Sequence, residues 1–342
     1  MKLHVVSFQV PFPPDYGGLI DVYYKLKALK EAGCSVVLHT YRYEVAEQPD
    51  LLKVVDAVYY YERFTGWCSM FSFRPYIVYS RRSKLLLERL CEDDSPILFE
   101  GLHTCYFLSN PLLRDRQKWV RMHYERVLLY ADKILAITNT DALYFTQKYP
   151  FVSTYCLPCF FDNISVETVT DVSPENEKYI LYHGNLSVLE NVRVINYILD
   201  NLLPKLDINM RVVIAGKNPD KHLREKISRI PNVSLVANPL QEEMNSLIVF
   251  AHIHLLLTFQ NTGIKLKLIY SLMKGHGHCL VNSMMIPDPG FEEVCTIADG
   301  QEAQVIALRK LYHTPLMPEA LQWRQQALTK MGYNNQVTLI LH

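Results

Sequence analysis

The 342-residue chain has no excess of charge of either sign, because 35 lysines and arginines balance 35 aspartates and glutamates. Proteins that bind nucleic acid usually carry a strong basic excess, so this balance argues against a nucleic-acid partner. It leaves room for a local basic pocket that binds phosphate groups.

Long apolar runs are also missing. The longest, Leu247 to Leu257, contains His252 and His254 and falls short of the ~20 residues that span a bilayer. The apolar start from Met1 to Phe8 is short, meets Pro11 and lacks a small-residue cleavage site, so it predicts a buried strand rather than a signal peptide. We expect a cytoplasmic protein, and peripheral contact with the inner face of the cell membrane stays open.

Motifs for disulfide frameworks, metals and dinucleotides are scarce. Eight cysteines show no framework spacing, and Cys156 to Cys159 spells C-x-x-C without a second pair, so reduced thiols are expected. His252 and His254 have possible metal spacing but no third ligand nearby, and Glu92-Asp93-Asp94 contains no D-x-D. The dinucleotide fingerprint G-x-G-x-x-G is absent. We expect neither a metal nor a bound cofactor.

What the chain does contain is an alternation of short apolar runs with helical patterns. Predicted strands in the first half are Leu3 to Phe8, Ser35 to Thr40, Val54 to Tyr60, Pro96 to Phe99, Trp119 to Arg121 and Lys133 to Ile137. Predicted helices there are Leu19 to Ala32, Ser83 to Cys91 and Thr140 to Lys148. Strands that alternate with helices indicate parallel, doubly wound sheets.

A second series of the same kind follows a stretch without apolar periodicity, Val166 to Lys178. Its predicted strands are Tyr179 to Tyr182, Met210 to Ala215, Val233 to Val236, Ile253 to Leu257 and His278 to Asn282, and its helices are Asn191 to Leu203, Glu242 to Phe250 and Ile264 to Lys274. We therefore predict two Rossmann-like domains, residues 1–165 and 166–342, facing a central cleft. A helical tail is predicted from Pro318, and a return of this tail to the first domain is left open.

Ligands of such sheets bind beyond the carboxyl ends of the strands, which selects few residues. In the second half these are Gly184, Asn185, Lys217, Thr262, Gly263, Lys265 and Lys267. A helix N-terminus with ammonium groups is suited to a diphosphate. Because Lys265 and Lys267 are two positions apart, we expect only one of them to reach the ligand. Solvated surface lysines are the alternative.

In the first half the same rule selects Asp15, Gly17, Gly18, Glu100, His103 and His123. Glycines between a strand and a helix let a ligand approach the backbone, although a simple tight turn also needs them. A histidine such as His123 at a strand end can orient or deprotonate a hydroxyl. The alternative for His123 is a structural role as a hydrogen-bonded histidine. The same structural alternative applies to Glu100 and His103.

Several segments, in order, carry a family resemblance: Pro13 to Gly18, Leu29 to Val36, Tyr179 to Ser187, Val213 to Lys217, Asn232 to Leu235 and Gly263 to Ile269. Together they resemble glycosyltransferases of the GT-B fold, specifically the retaining family 4. Phe99 to His103 and Val120 to His123 look like a bacterial subgroup of polysaccharide or mannosyl-type transferases. The resemblance covers nearly the whole chain.

The resemblance implies a metal-independent, retaining transfer of a sugar in the synthesis of surface polysaccharide. The first domain would bind a glycan or lipid-linked acceptor, with Asp15, Gly17 and Gly18 in a loop lining the cleft. The second would bind a nucleotide-diphosphate sugar as co-substrate, and GDP-mannose is the donor it suggests. By the same resemblance, Lys217 and either Lys265 or Lys267 contact the phosphates, beside Gly184, Asn185, Thr262 and Gly263. His123 and Glu100 are the catalytic candidates, and His103 is the acceptor candidate.

Departures from the family pattern leave other functions open. Asn185 and Glu190 stand where many relatives carry arginine and lysine, and Thr262 and Tyr270 stand where many carry glutamates. A helical excursion expected after His123 is missing, which suggests a smaller acceptor site. A catalytically impaired binding homologue is therefore one alternative. A nucleotide-sugar 2-epimerase is another, although no set of carboxylates for its proton transfers can be assigned.

Overall fold

The computed structural model describes residues 1–14, 17–42, 46–66, 75–113, 118–121, 127–161, 178–260, 265–332 and 336–341. The chain divides into two compact units. Unit 1 consists of Met1–Asp162 and Gly332–His342, and unit 2 consists of Asn163–Met331. Within the described ranges, no helix has the length and apolar character needed to cross a membrane.

Unit 1 is built on a parallel sheet in which Lys2–Ser7, Ser35–Arg42 and Ile97–Glu100 are buried on both faces, which is why these strands read as continuous apolar runs. Its strands are β1 (Lys2–Ser7), β2 (Ser35–Arg42), β3 (Ala57–Glu62), β4 (Ile97–Glu100), β5 (Lys118–Arg121), β6 (Lys133–Ala136) and β7 (Ser153–Cys156). They lie in the order β3-β2-β1-β4-β5-β6-β7, and every pairing is parallel. The strand order reverses direction beside β1, so β1 and β4 flank the crevice where ligands of such sheets bind.

The helices of unit 1 cover both faces of this sheet. They are α1 (Gly17–Glu31), α2 (Tyr76–Tyr79), α3 (Lys84–Leu90) and α4 (Asn139–Lys148). Helix α1 buries Val22, Leu26 and Leu29, and Gly33 follows its end with a φ of +79°, the left-handed conformation that glycine adopts without strain. Ser83 accepts a hydrogen bond from Leu86 N and so caps α3.

Unit 2 contains a second parallel sheet. Its strands are β8 (Tyr179–Asn185), β9 (Arg211–Lys217), β10 (Val233–Ala237), β11 (Ile253–Leu256), β12 (His278–Val281) and β13 (Thr296–Ile297). They lie in the order β10-β9-β8-β11-β12-β13, and every pairing is parallel. The reversal of strand order here falls between β8 and β11.

The described part of unit 2 contains the helices α5 (Leu189–Tyr197), α6 (Lys221–Ser228), α7 (Gln241–Phe250), α8 (Leu266–Lys274), α9 (Gln301–Tyr312) and α10 (Pro318–Lys330). A short last helix, α11 (Thr338–Leu341), belongs to unit 1, where Ile340 is buried among Leu3, Leu29 and Phe160. The tail therefore packs into the core of unit 1.

The predicted elements agree with these bounds to within a few residues, with identifiable exceptions. Helix α8 begins at Leu266, so the predicted start at Ile264 is wrong and Lys265 precedes the helix as its cap residue. The sequence-based prediction also omitted β7, β13, α2, α6, α9 and α11. Strand β7 has a polar, half-exposed pattern because it lies at the edge of its sheet, and α6 is mostly charged.

Candidate functional site

Lys267 lies in the first turn of α8, at the carboxyl edge of the unit 2 sheet. Its ammonium nitrogen donates to Tyr182 Oη at 3.2 Å, Asn191 Oδ1 at 3.4 Å and the carbonyl of Leu257 at 3.4 Å. It also lies 4.7 Å from the centroid of the Tyr182 ring. The ammonium group is thus held in one place by the ends of β8 and β11 and by the start of α5.

The partners of Lys267 are themselves fixed. Tyr182 Oη donates to Asn191 Oδ1 at 3.0 Å, and Asn191 Nδ2 donates to the carbonyl of Asn185 at 2.9 Å. Tyr182 is fully buried in the core of unit 2. Each polar atom of this network has a defined partner, so the cation is positioned before any ligand arrives.

The pKa of Lys267 is lowered to about 8 by burial and by the charge of Lys265, while the Glu190 carboxylate acts to raise it. Burial also lowers the pKa of Lys265, and Glu190 again opposes that change. Lys265 Nζ donates to the carbonyl of Gln260 at 2.8 Å, away from the network around Lys267. The two lysines therefore point in different directions, as their spacing predicts.

Glu190 anchors the loop that follows β11. Its Oε1 accepts hydrogen bonds from Phe259 N at 2.5 Å and from Thr258 Oγ1 at 2.9 Å. The same loop is held from the other side by Asn282, which exchanges two hydrogen bonds with the backbone of Thr258. The Glu190 carboxylate is thus a structural acceptor, and it places a negative charge close to Lys265 and Lys267.

The glycine pair of β8 and β9 allows a close approach of two backbones. Gly184 is paired with Gly216, and a Cβ on Gly216 would lie 1.8 Å from the carbonyl oxygen of Gly184. Lys217, which follows Gly216, is exposed at the carboxyl edge and pairs in register with Asn185. Gly184, Asn185, Lys217 and Lys267 are therefore gathered at one edge of the sheet.

Unit 1 has its own polar network at the carboxyl edge. Lys25 of α1 lies with its ammonium nitrogen 2.6 Å from Glu100 Oε1 and 3.3 Å from Asp21 Oδ2. The other carboxylate oxygen of Asp21 accepts from Phe160 N at 2.8 Å. Glu100 is 3% exposed, and Lys25 is 1% exposed, so this ion pair is shielded from water.

His103 follows Glu100 of this network by three positions, and Gly17 and Gly18 precede Asp21 by four and three positions. The rings of His103 and Phe8 are 5.6 Å apart, and a Cβ on Gly18 would lie 2.9 Å from Cζ of the same Phe8 ring. Gly17 and Gly18 form the first turn of α1. The structure thus brings Gly18 and His103 together around Phe8. Asp15, His123, Thr262 and Gly263 lie outside the described residues.

Three histidines of unit 2, His183, His252 and His254, lie in structural surroundings. His183 Nε2 is 3.0 Å from Ser271 Oγ, and burial together with the Lys267 charge lowers the pKa of His183 to about 3. His252 Nε2 is 3.0 Å from the carbonyls of Leu311 and Tyr312, and His254 is fully buried. Within the described part of the chain, no cluster of three or more His, Cys, Asp or Glu is placed to hold a metal ion.

Sequence reasoning missed Lys25, Asp21, Tyr182 and Asn191 as members of these networks. A signal for Lys25 exists, because it falls three residues after Val22 and therefore on the buried face of α1. A charged residue on an apolar helix face needs a buried partner. Tyr182 and Asn191 had no such signal, since a tyrosine in a strand and an asparagine in a helix start are ordinary.

Two Rossmann-like units of this topology form the fold of the GT-B glycosyltransferases. Trehalose-6-phosphate synthase matches with a TM-score of 0.68 at 13% identity, over 98% of this chain and 96% of that one. The lipopolysaccharide outer core galactosyltransferase WaaB matches with a TM-score of 0.65 at 14% identity, over 100% and 99%. Sucrose-phosphate synthase from Thermosynechococcus elongatus gives 0.64 at 12% identity, over 99% and 97%. At these identities the likeness establishes the fold.

The curated proteins include one similar sequence from Klebsiella pneumoniae, an uncharacterized 44.6 kDa protein in the cps region. It is 23% identical over 312 residues, which cover 78% of this chain and 79% of that protein. No protein-family model matches the chain.

Proposed function

We propose that this protein is a glycosyltransferase that binds a nucleotide-diphosphate sugar at the carboxyl edge of unit 2. The observation that carries the proposal is the fixed ammonium group of Lys267, held by Tyr182, Asn191 and the end of β11. Open parallel sheets bind their ligands beyond these strand ends. A cation positioned there in advance is suited to the charge that develops on a leaving diphosphate.

In the proposed reaction, the bond between the anomeric carbon and the diphosphate oxygen breaks, and both electrons stay with the diphosphate. The acceptor hydroxyl oxygen forms the new bond to the anomeric carbon and gives up its proton to the leaving phosphate. Lys267 stabilises the negative charge at that moment. The resemblance to family 4 supports retention of the anomeric configuration without a metal, and it suggests GDP-mannose as donor.

The acceptor we propose is a glycan or lipid-linked sugar in surface polysaccharide synthesis. The similar protein from a cps region supports that setting. Peripheral contact with a membrane belongs to the same proposal, since a lipid-linked acceptor resides there. Glu100 and His123 remain the proposed catalytic residues and His103 the proposed acceptor contact.

A binding protein without transferase activity is the second candidate, and Glu190 is the observation that favours it. Its carboxylate occupies the place of a phosphate-binding lysine in the family pattern and lies in the same loop network as Lys265. A negative charge there weakens the attraction for a diphosphate. Binding of a nucleotide without sugar transfer to any acceptor would identify this case.

The test is a thermal-shift series with GDP, UDP, ADP, CMP and their sugar conjugates on the wild type and on Lys267→Met. A ligand specific for the folded state stabilises by about 2.7 kcal/mol at a hundredfold excess over its Kd. We expect one nucleotide family to raise Tm in the wild type and not in Lys267→Met. Lys274→Ala, at the opposite end of α8, is the matched control and should keep the shift. If no nucleotide raises Tm, the proposed donor site is wrong.

A further inference from the structure

The guanidinium of Arg82 lies between two aromatic rings in unit 1. Its Cζ is 3.6 Å from the centroid of the Phe64 ring and 3.7 Å from that of Tyr79. Two rings cannot both approach one face of a planar group at this distance, so each covers one face. Stacking on both sides fixes the guanidinium plane and leaves its N–H edge as the only route to a partner.

That edge has no partner among the residues that the structure describes. The side chain of Arg82 makes no hydrogen bond or ion pair with them, and its Nη1 is buried without an acceptor. A guanidinium carries five N–H donors and is always charged. An unsatisfied buried donor costs free energy, and the cost is larger when the donor is charged. Such an arrangement is expected where an anionic ligand completes the hydrogen bonds.

The stack lies at the carboxyl edge of the unit 1 sheet. Phe64 follows the end of β3 by two residues, and its amide donates to the carbonyl of Ser80 at 2.7 Å. Arg81 Nε donates to the carbonyl of Phe8, just beyond β1, at 3.0 Å. Residues 63–64 and 76–82 are thereby fastened to the ends of β3 and β1. This is the edge at which sheets of this type bind ligands.

The local charge also favours an anion. Arg63 and Arg81 belong to the same two segments, and Arg63 Nη2 donates to Ser80 Oγ at 3.2 Å. Glu62, the residue directly before Arg63, forms an ion pair with Arg42. The two joined segments thus carry three guanidinium groups, and within the described ranges no carboxylate forms an ion pair with Arg82.

We propose that Arg82, stacked between Phe64 and Tyr79, binds a phosphate or carboxylate group of the acceptor. The planar fork of an arginine matches both oxyanions with two parallel hydrogen bonds. The identification of the ligand as an acceptor rests on the proposed glycosyltransferase function. The arginine site would restrict that acceptor to an anionic sugar or a lipid-linked sugar phosphate. Anion binding itself is independent of the donor site in unit 2.

The first measurement uses the unmodified protein. Phenylglyoxal reacts with accessible arginines, and peptide mass spectrometry gives the rate at Arg82 with and without each probe. The probes are inorganic phosphate, a hexose 6-phosphate, a hexuronic acid and farnesyl phosphate, with a neutral hexose as the negative control. We expect an anionic probe to protect Arg82 and the neutral hexose to leave its rate unchanged. Absence of protection by every anionic probe at saturating concentration would overturn the proposal.

The second measurement is calorimetric titration of the same probes into variants. Arg82→Gln should bind the preferred anion roughly tenfold to a hundredfold more weakly, because a charge-assisted hydrogen-bond pair is lost. Arg82→Lys keeps the positive charge but lacks the two parallel N–H donors, so its affinity for the anion should lie between those of the wild type and Arg82→Gln. Arg229→Gln, an exposed arginine of unit 2, should bind as the wild type does. Equal affinity of Arg82→Gln and wild type would exclude this site.

The probes also separate the sources of the anion. Tighter binding of the hexose 6-phosphate or hexuronic acid supports a soluble sugar acceptor, and tighter binding of farnesyl phosphate supports a lipid-linked one. Inorganic phosphate binding as tightly as every larger probe would contradict an acceptor site. Nucleotide thermal shifts on Arg82→Gln should equal those of the wild type, so a missing donor site and a missing acceptor site give different results.

Discussion

The ammonium nitrogen of Lys25 lies 2.6 Å from Glu100 Oε1, and neither side chain is more than 3% exposed. The two residues are 75 positions apart, one on α1 and the other at the end of β4. Asp21 contacts the same ammonium group and holds Phe160 N. One buried charge network therefore joins α1, β4 and the segment after β7, and the Glu100 carboxylate is engaged by Lys25.

Breaking one side of this pair should destabilise the protein strongly. Glu100→Gln keeps the shape of the side chain but leaves Lys25 with one carboxylate, and loss of a partner in a buried pair costs roughly 3–5 kcal/mol. The double variant Lys25→Met, Glu100→Gln should recover at least half of that loss. Urea unfolding of the four members of the cycle measures the coupling.

The control for this cycle is the exposed pair of Lys221 and Glu225, whose charged atoms are 3.7 Å apart. Glu225→Gln should leave the free energy of unfolding unchanged within error. Additive effects of Lys25→Met and Glu100→Gln would mean that the buried contact contributes nothing as a pair.

Glu190 should set the pH at which Lys267 loses its proton. The pKa of Lys267 is about 8, lowered by burial and raised in part by Glu190. Nucleotide affinity should therefore fall as the pH rises through about 8, because the ammonium group becomes neutral. In Glu190→Gln the amide oxygen still accepts from Phe259 N while the negative charge is gone, so the fall should occur at a lower pH.

Two measurements check this expectation. Nucleotide affinity is titrated from pH 6.5 to 9.5, and the rate at which acetic anhydride modifies Lys267 is followed without any ligand. Glu243→Gln, an exposed acidic residue of the same unit, is the matched control. The same reactivity midpoint in Glu190→Gln and wild type would show that Glu190 acts only as an anchor for the loop after β11.

His183 should make unit 2 sensitive to acid. Burial, together with the charge of Lys267, lowers the pKa of His183 from 6.5 to about 3. Between these values the unfolded chain binds a proton that the folded protein does not, so stability is lost as the pH falls below about 6.5. The loss from this one group should reach roughly 2–3 kcal/mol at pH 4.5.

Urea unfolding at pH 7, 5.5 and 4.5 measures that loss. His183→Gln, whose amide can still reach Ser271, should be less stable than the wild type at pH 7 but lose less stability on acidification. His222→Gln changes an exposed histidine of the same unit and should keep the wild-type slope. Parallel pH profiles for His183→Gln and wild type would show that His183 is not the group responsible.

Much of the fold could be predicted because local patterns and tertiary packing agree. The apolar runs of β1 and β4 are buried on both faces, and Gly33 ends α1 in the conformation that only glycine adopts easily. Strand β7 and helix α6 were missed because an edge strand and a charged surface helix bury few side chains. Their sequence patterns carry correspondingly little signal.

The candidate site was predicted only in outline. The rule that ligands bind after parallel strands led to Lys267, Lys265, Gly184 and Asn185, and the structure gathers these at one edge of unit 2. The same rule does not predict which side chains accept hydrogen bonds from Lys267. Tyr182 and Asn191 meet it because β8 and α8 become neighbours only once the sheet has formed.

The sequence by itself determined the alternation of strands and helices, the cap at Gly33 and the strand ends that bear polar residues, since each depends on contacts within a few positions along the chain. The tertiary structure decided which charges are buried and what they meet. Lys25 reaches Glu100 because the sheet order places β1 beside β4, and Arg82 is enclosed because Phe64, from the segment after β3, joins the sequence neighbour Tyr79 at its guanidinium. Such contacts depend on strand order, which local periodicity does not encode.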